Sequence, residues 1–263
     1  MKWPFSSTKI PVVQLRGMIL ARSGMLNMES CVPLLERGFT MAKKSKKLVL
    51  AIESPGGSAT QSDLIGQFIR RRAEKDNIEV TAVIGDVGAS GGYWLACAAD
   101  HIFANRLSIV GSIGVVTEGF GLNEFIARHG IERRTLTAGE HKRRNDMFSP
   151  ARAEDAQFTQ ALLDEVHEMF KSWVRERRGA RLNADESQIF DGGFMLGTRA
   201  KTLGLIDEFG DVEQVVKQLG GEKAKPVWIK PKASKGLLRL LLRNATEVAL
   251  DVAQERAATP VLK

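Results

Sequence analysis

Five short runs rich in β-branched and aliphatic residues punctuate the first half of the chain, at 12–20, 48–53, 80–85, 101–104 and 113–117. Each has the length and composition of a buried strand. Helical patterns over 28–44, 62–74 and 90–99 fill most of the gaps between them. Strand and helix in alternation leave few solutions, and the first 140 residues read as an α/β domain with mostly parallel strands.

Two of the predicted strands run into glycine-rich turns. The first is Ser54-Pro55-Gly56-Gly57-Ser58 and the second is Gly88-Ala89-Ser90-Gly91-Gly92, each followed by a helical pattern. A serine at a sharp strand-to-helix turn has its hydroxyl held at a helix N-terminus, and glycine neighbours permit the tight backbone and leave space for a substrate carbonyl. If the two strand ends meet at one edge of the sheet, amides of Gly57 and Gly91 form an oxyanion hole there. Serine is also a favoured N-cap residue, so the turn alone leaves Ser90 as either a nucleophile or a helix cap.

Beyond Pro150 the β-rich runs stop. Phe158, Leu162, Val166, Phe170 and Trp173 recur at spacings of three or four, which predicts one long amphipathic helix over 153–178. Shorter helices are predicted over 195–203 and 212–219, separated by glycine turns at Gly204 and Gly210. A last apolar stripe, Leu238, Leu241, Ala245, Val248 and Val252, has basic and acidic residues largely off it. The domain reading is an extension over 1–9, a catalytic domain over 10–220 and a basic amphipathic helical tail over 221–263.

With 263 residues and 43% apolar content the chain can bury a real core. Lys and Arg outnumber Asp and Glu by 38 to 31, a formal charge of +7 that suits an anionic surface. The basic clusters at 43–47, 142–144 and 175–178 carry neither zinc-finger spacing nor a basic-aromatic RNA-binding signature, so no specific nucleic-acid partner is expected. Cys31 and Cys97 have no metal-ligand spacing and read as reduced, packed thiols. The first twenty residues hold no apolar run of signal-peptide or membrane-spanning length. A cytoplasmic protein is expected, with peripheral docking on anionic lipid through Lys235, Arg239 and Arg243 of the tail.

A nucleophilic serine needs a base. His101 opens a predicted strand and His167 lies in the long helix, while His129 and His141 read as loop or surface residues; His141, beside Lys142, is the strongest of the four. At this point the chain resembles the SppA/SohB-type signal peptide peptidases, which share the ClpP/crotonase-like fold of repeated β-β-α units. The resemblance spans roughly 10–220 and rests on five ordered segments. These are Ser54-Pro-Gly-Gly57, Gly88-Ala-Ser-Gly-Gly-Tyr-Trp94, Gly111-Ser-Ile-Gly-Val115, Gly139-Glu-His-Lys142 ending in Ser149-Pro150, and Gly204-Leu-Ile-Asp-Glu-Phe-Gly210.

The resemblance implies a serine endopeptidase without a cofactor, with Ser90 as nucleophile, Lys142 as general base and Ser112 orienting the lysine. The base must be a neutral amine, which desolvation and cationic neighbours such as Arg143 and Arg144 favour. The segment around Lys142 is very polar. The resemblance supplies the missing cover, because half-length members form rings in which neighbouring protomers complete each active site. A homo-oligomer acting on extended apolar peptides, such as signal-peptide remnants or membrane-protein segments, is therefore expected. The competing readings are a crotonase-type acyl-CoA enzyme working through Glu118 or Glu124, a non-catalytic basic scaffold, and a phage head-protein processing peptidase. In this reading Tyr93 and Trp94 pack the nucleophile helix and Asp207 caps or pairs near a subunit contact.

Overall fold

The computed structural model describes residues 8–139 and 141–231. The chain divides into two units after Ile229, and the first of them holds every strand and helix named below. The predicted tail stripe from Leu238 to Val252 lies outside the described residues.

Eight strands form one sheet: β1 (Lys9–Arg16), β2 (Lys47–Ser54), β3 (Glu79–Ala89), β4 (His101–Ala104), β5 (Ile109–Gly111), β6 (Phe194–Leu196), β7 (Glu208–Phe209) and β8 (Lys225–Ile229). The order is β6-β5-β3-β2-β1-β8, with β4 pairing both β3 and β7. Every pairing is parallel except β5 with β6. The long strand β3 changes neighbour along its length: Thr81 to Ile84 pair with β4, and Val87 to Ala89 pair with β5. The last residues of β3, where Ser90 follows, thus run between β2 and β5.

Both faces of the sheet are covered, which is why the strands read as near-continuous apolar runs. Along β2, Leu48, Leu50 and Ile52 join the larger core with α1 (Met28–Ala42) and α2 (Ala59–Asp76). Val49 turns the other way, into a smaller core with Ile10, Val12, Val83, Phe103 and two valines of α8 (Val212–Gly220). The remaining helices are α3 (Gly91–Cys97), α4 (Asn123–Arg128), α5 (Ala153–Arg178), α6 (Glu186–Ile189) and α7 (Gly197–Thr202).

The fold is the predicted α/β class, with corrections at several elements. The run 113–117 is not a strand. The strand is β5, and it stops because Gly111 and Ser112 take positive φ of 97° and 51° and turn the chain away. The helix predicted from Met195 begins only at Gly197, since Met195 is drawn into antiparallel pairing with Val110. Pairing across the sheet overrides local helical spacing here. The first strand ends at Arg16, four residues early, where Gly17 adopts φ 119°. The sheet also continues past residue 220: β8 pairs with β1 from Lys9↔Lys225 to Val13↔Ile229, and five residues are too few to announce themselves by period. The short helices α4 and α6 carry no comparable pattern.

Candidate active site

Ser90 occupies the N-cap position of α3 with φ 51° and ψ −123°, a backbone conformation that is unfavourable for any residue with a side chain. The surroundings over-determine it. Its N–H donates to Gly111 O at 2.8 Å, and its carbonyl accepts from Trp94 N–H at 3.0 Å. Its side chain makes no capping hydrogen bond, which removes the helix-cap reading and leaves the hydroxyl available. From Gly88 to Ala99 every residue is buried except Ser90.

The second glycine turn lies against this elbow. A Cβ on Gly56 would stand 2.6 Å from Gly91 N and 2.7 Å from Ser90 Cβ, so only glycine allows the two strand ends to approach so closely. Gly57 has φ 138°, and a Cβ there would be 2.2 Å from Ile19 O. The strand-like bonds Ile19 N–H to Gly56 O, 2.8 Å, and Ser58 N–H to Ile19 O, 2.7 Å, fix the turn. Gly91 is the first residue of α3, and first-turn amides have no acceptor within their own helix.

Gly57, Ser90, Gly91 and Ser112 line one cavity of about 760 Å³. Its apolar wall includes Trp94, Val115, Val166 and Phe170. Trp94 is held by the Phe170 ring, with centroids 4.7 Å apart, and by Trp173, whose indole N–H donates to Trp94 O at 3.0 Å. The Ser112 N–H donates to Gly193 O at 2.7 Å. Three further polar residues in the lining, Ser62, His167 and Asp191, are not placed there by the sequence reading. His167 lies beside Val166 and three residues before Phe170, so helical spacing from two apolar lining residues would have placed it. Its Nε2 is engaged with Ile113 O at 2.9 Å. Asp191 accepts from Gly193 N–H at 2.8 Å, and nothing periodic in the sequence marks it.

Lys142 is not brought to this cavity. It sits exposed in the turn after Gly139 and is absent from the residues lining the Ser90 cavity. Its expected cationic neighbours are already neutralised: Arg143 pairs with Asp146 at 2.8 Å, and Arg144 lies 3.8 Å from Asp155 and over the Phe158 ring. The other histidines do not line this cavity either. His101 is exposed near Glu79, His129 bonds Phe125 O, and His141 is exposed. Glu118 and Glu124, the carboxylates of the acyl-CoA reading, do not line the cavity, and Glu124 faces Arg128 at 3.6 Å.

Behind the elbow a polar lock joins α3, α5 and β4. Arg178, with 1% of its side chain exposed, makes two bonds to Asp207, at 2.8 and 2.9 Å, and donates from Nε to Gly204 O at 2.9 Å. Asp207 also accepts from Ile102 N–H, and Tyr93 donates its hydroxyl to Leu205 O, both at 2.7 Å. Burial would raise the Asp207 carboxyl, but the Arg178 guanidinium outweighs it and holds the carboxyl below its ordinary value. Asp207 therefore pairs inside its own chain. Burial also pushes the Cys97 thiol in α3 up to about 12, and both cysteines are buried and unpaired.

A mostly parallel α/β sheet with a strained serine elbow beside a glycine turn defines the ClpP-like class of fold. Known proteins of similar sequence and structure point the same way. The model of peptidase family S49 matches residues 72–225. A putative protease of Synechocystis sp. is 31% identical over 81% of this chain and 75% of its own length. The probable protease SohB of Haemophilus influenzae is 30% identical over 81% of this chain and 59% of its own length. The chain is also 41% identical to a Brucella abortus protein described as a Na(+)/H(+) antiporter NhaA, over 88% of this chain but only 31% of that much longer protein. Among solved structures, a membrane-bound stomatin-specific protease, captured as a lysine-to-alanine mutant with a substrate peptide, shares the fold. It has a TM-score of 0.54 and 14% identity over 92% of this chain and 99% of its own. The chain belongs to peptidase family S49, with the SppA/SohB-type peptidases.

Proposed function

We propose that this chain is a serine endopeptidase in which Ser90 attacks the carbonyl carbon of a peptide bond while the neutral amine of Lys142 takes the proton from Ser90 Oγ. The amides of Gly57 and Gly91 hold the oxyanion of the tetrahedral intermediate. Its collapse breaks the C–N bond, and the Lys142 ammonium returns the proton to the leaving amine. Water then attacks the acyl-enzyme by the same proton route, and Ser90 is regenerated. Ser112 orients the lysine. None of these steps calls on a metal or a cofactor.

The observation that carries the reading is the Ser90 elbow itself. An unfavourable backbone is held on both sides by hydrogen bonds while its hydroxyl is spared from capping, inside an apolar cavity rimmed by glycine amides. Because Lys142 is exposed and outside that cavity, the base arrives with a second copy, in a homo-oligomer whose active sites are completed across protomers. Trp94, Phe170, Val115 and Val166 favour extended peptides with apolar side chains, of the kind found in signal-peptide remnants and membrane-protein segments. No described helix is long and apolar enough to cross a membrane. A cytoplasmic protein that touches anionic lipid peripherally, through the basic tail, accounts for its charge of +7.

A fluorophosphonate probe tests the chemistry. The expected result is a covalent adduct on Ser90, lost in Ser90→Ala and slowed by about 10⁴-fold or more in Lys142→Ala. Labelling indifferent to both changes would overturn the assignment.

A further inference from the structure

The Ser90 cavity does not end at Trp94. A second groove of about 450 Å³ opens between α2 and α5, and it shares Ala59, Trp94 and Val166 with the cavity. From that junction both walls run away together. On α2 the lining passes from Ala59 to Asp63 and Gln67, and on α5 from Val166 to Trp173 and Glu176. The two spaces thus adjoin at those three residues.

The charge of the groove is opposite to that of the protein. In a chain with 38 lysines and arginines, no basic residue lines it, and its only charged side chains are Asp63 and Glu176. Neither lies within ion-pair distance of a basic side chain among the described residues. Of the arginines beside Glu176, Arg175 pairs with Glu168 and Glu186, and Arg177 bonds Cys97 O, Ala99 O and Asp100 while also lying within the field of Glu176. Trp173 already carries the Arg177 guanidinium 5.9 Å from its ring centre and stacks on Trp94, so the pull of the groove on a further cation comes from its two carboxylates, Asp63 and Glu176.

We infer that the α2/α5 groove is a substrate subsite that takes a lysine or arginine of the bound peptide, a few residues from the apolar segment held beside Ser90. This deepens the peptidase reading and rests on it. The spacing follows from the helices. Asp63 lies one turn, about 6 Å, beyond Ala59, and Glu176 about 15 Å beyond Val166. At about 3.3 Å per extended residue the cation falls roughly two to five residues from the apolar side chain at the junction. The favoured substrate is an extended peptide in which a basic residue closely flanks an apolar run.

The test uses fluorogenic peptides with one apolar core and a single Lys, Gln or Glu placed two to five residues to either side of the cleaved bond. The full-length protein should cleave the best-placed Lys peptide roughly three- to tenfold better than its Gln counterpart, through KM, and this advantage should shrink with added salt. The advantage should vanish in Asp63→Asn/Glu176→Gln. In Asp63→Lys/Glu176→Lys the preference should turn to the Glu peptide, a gain that misfolding cannot produce. Equal cleavage of Lys and Gln peptides at every position, or a Lys preference that survives the double neutralisation, would overturn the subsite.

The peptidase reading fails separately, by absence of a fluorophosphonate adduct on Ser90. In that event the same peptides are titrated by fluorescence anisotropy against Ser90→Ala and against Ser90→Ala carrying the double neutralisation. Equal affinity for Lys and Gln peptides there counts against the groove on its own terms.

Discussion

The two residues assigned to the catalytic pair live in opposite surroundings. Ser90 is the one partly open position in a run, from Gly88 to Ala99, that is otherwise buried. Lys142 lies in a stretch, 114–154, in which no described residue is buried at all. Yet that stretch is not built like a solvated loop. Val116, Phe120, Phe125, Ile131 and Leu136 are all more than half exposed, and Leu136 has no cover whatever. Apolar side chains exposed in this density suit the covered face that the proposed assembly requires. The surroundings of Ser90 are complete within one chain, whereas in the proposed assembly those of Lys142 are completed by another.

The sharpest way to break that contrast is to separate the two residues onto different chains. Ser90→Ala and Lys142→Ala are each expected to be inactive. Mixed after denaturation and joint refolding, they should recover about a quarter of wild-type peptidase activity, since a site needs an intact Ser90 from one copy and an intact Lys142 from another. If both residues came from the same copy, every protomer in the mixture would stay defective and no activity would return. Kinetics on the refolded mixture decide between the two.

The elbow side of the comparison has its own weak point, the Arg178–Asp207 lock behind α3. Asp207→Asn keeps the shape but leaves the Arg178 guanidinium buried and unpaired. The expected loss is about 3–5 kcal/mol in guanidinium unfolding. The pH dependence follows from the direction of the Asp207 shift. A carboxyl held below its ordinary value contributes stability that is present above that value and is lost as acid brings it through its folded-state pKa. Wild-type stability should therefore decline below about pH 4, and the difference from Asp207→Asn should narrow there. A constant difference across pH would mean that the charge of Asp207 is not what the lock uses.

How far the sequence could be read follows the same divide. Burial on both faces made β2 and β3 legible as apolar runs, and the spacing of Phe158 to Trp173 marked α5 from end to end. The glycines of 54–58 and 88–92 announced a close approach of two strand ends, because backbone contact of 2.6 Å from a Cβ position excludes other residues. Elements fixed by partners far away in sequence were not legible. Met195 joined β6 only because Val110 was there to pair with it, and β8 only because β1 had a free edge. Lys142 was read by resemblance alone. Its residue type, its neighbours and its exposure carry no physical mark of catalysis within one chain, and Arg143 and Arg144 are neutralised by Asp146 and Asp155. Asp207, expected to cap or pair near a subunit contact, does pair, with Arg178 of its own chain 29 residues earlier on α5, a partner that its local sequence does not mark.

The smallest expected change in stability falls on the exposed side, at Phe120, which is 80% exposed. Phe120→Ser removes no buried contact in the single chain, so unfolding of the dissociated protein should shift by about 0.5 kcal/mol or less. Its effect belongs to assembly. If the 114–154 surface is covered by a second copy, replacing this exposed ring with a hydroxyl should weaken association, seen as a lower mass in sedimentation or light scattering at micromolar concentration. Peptide hydrolysis should fall in step with the mass and recover as protein concentration is raised, because the Ser90 elbow of each copy is untouched. An unchanged mass with full activity would show that Phe120 lies outside the contact. An unchanged mass with lost activity would mean that this surface acts on Ser90 within its own chain, and the contrast between the finished and unfinished halves of the site would no longer hold.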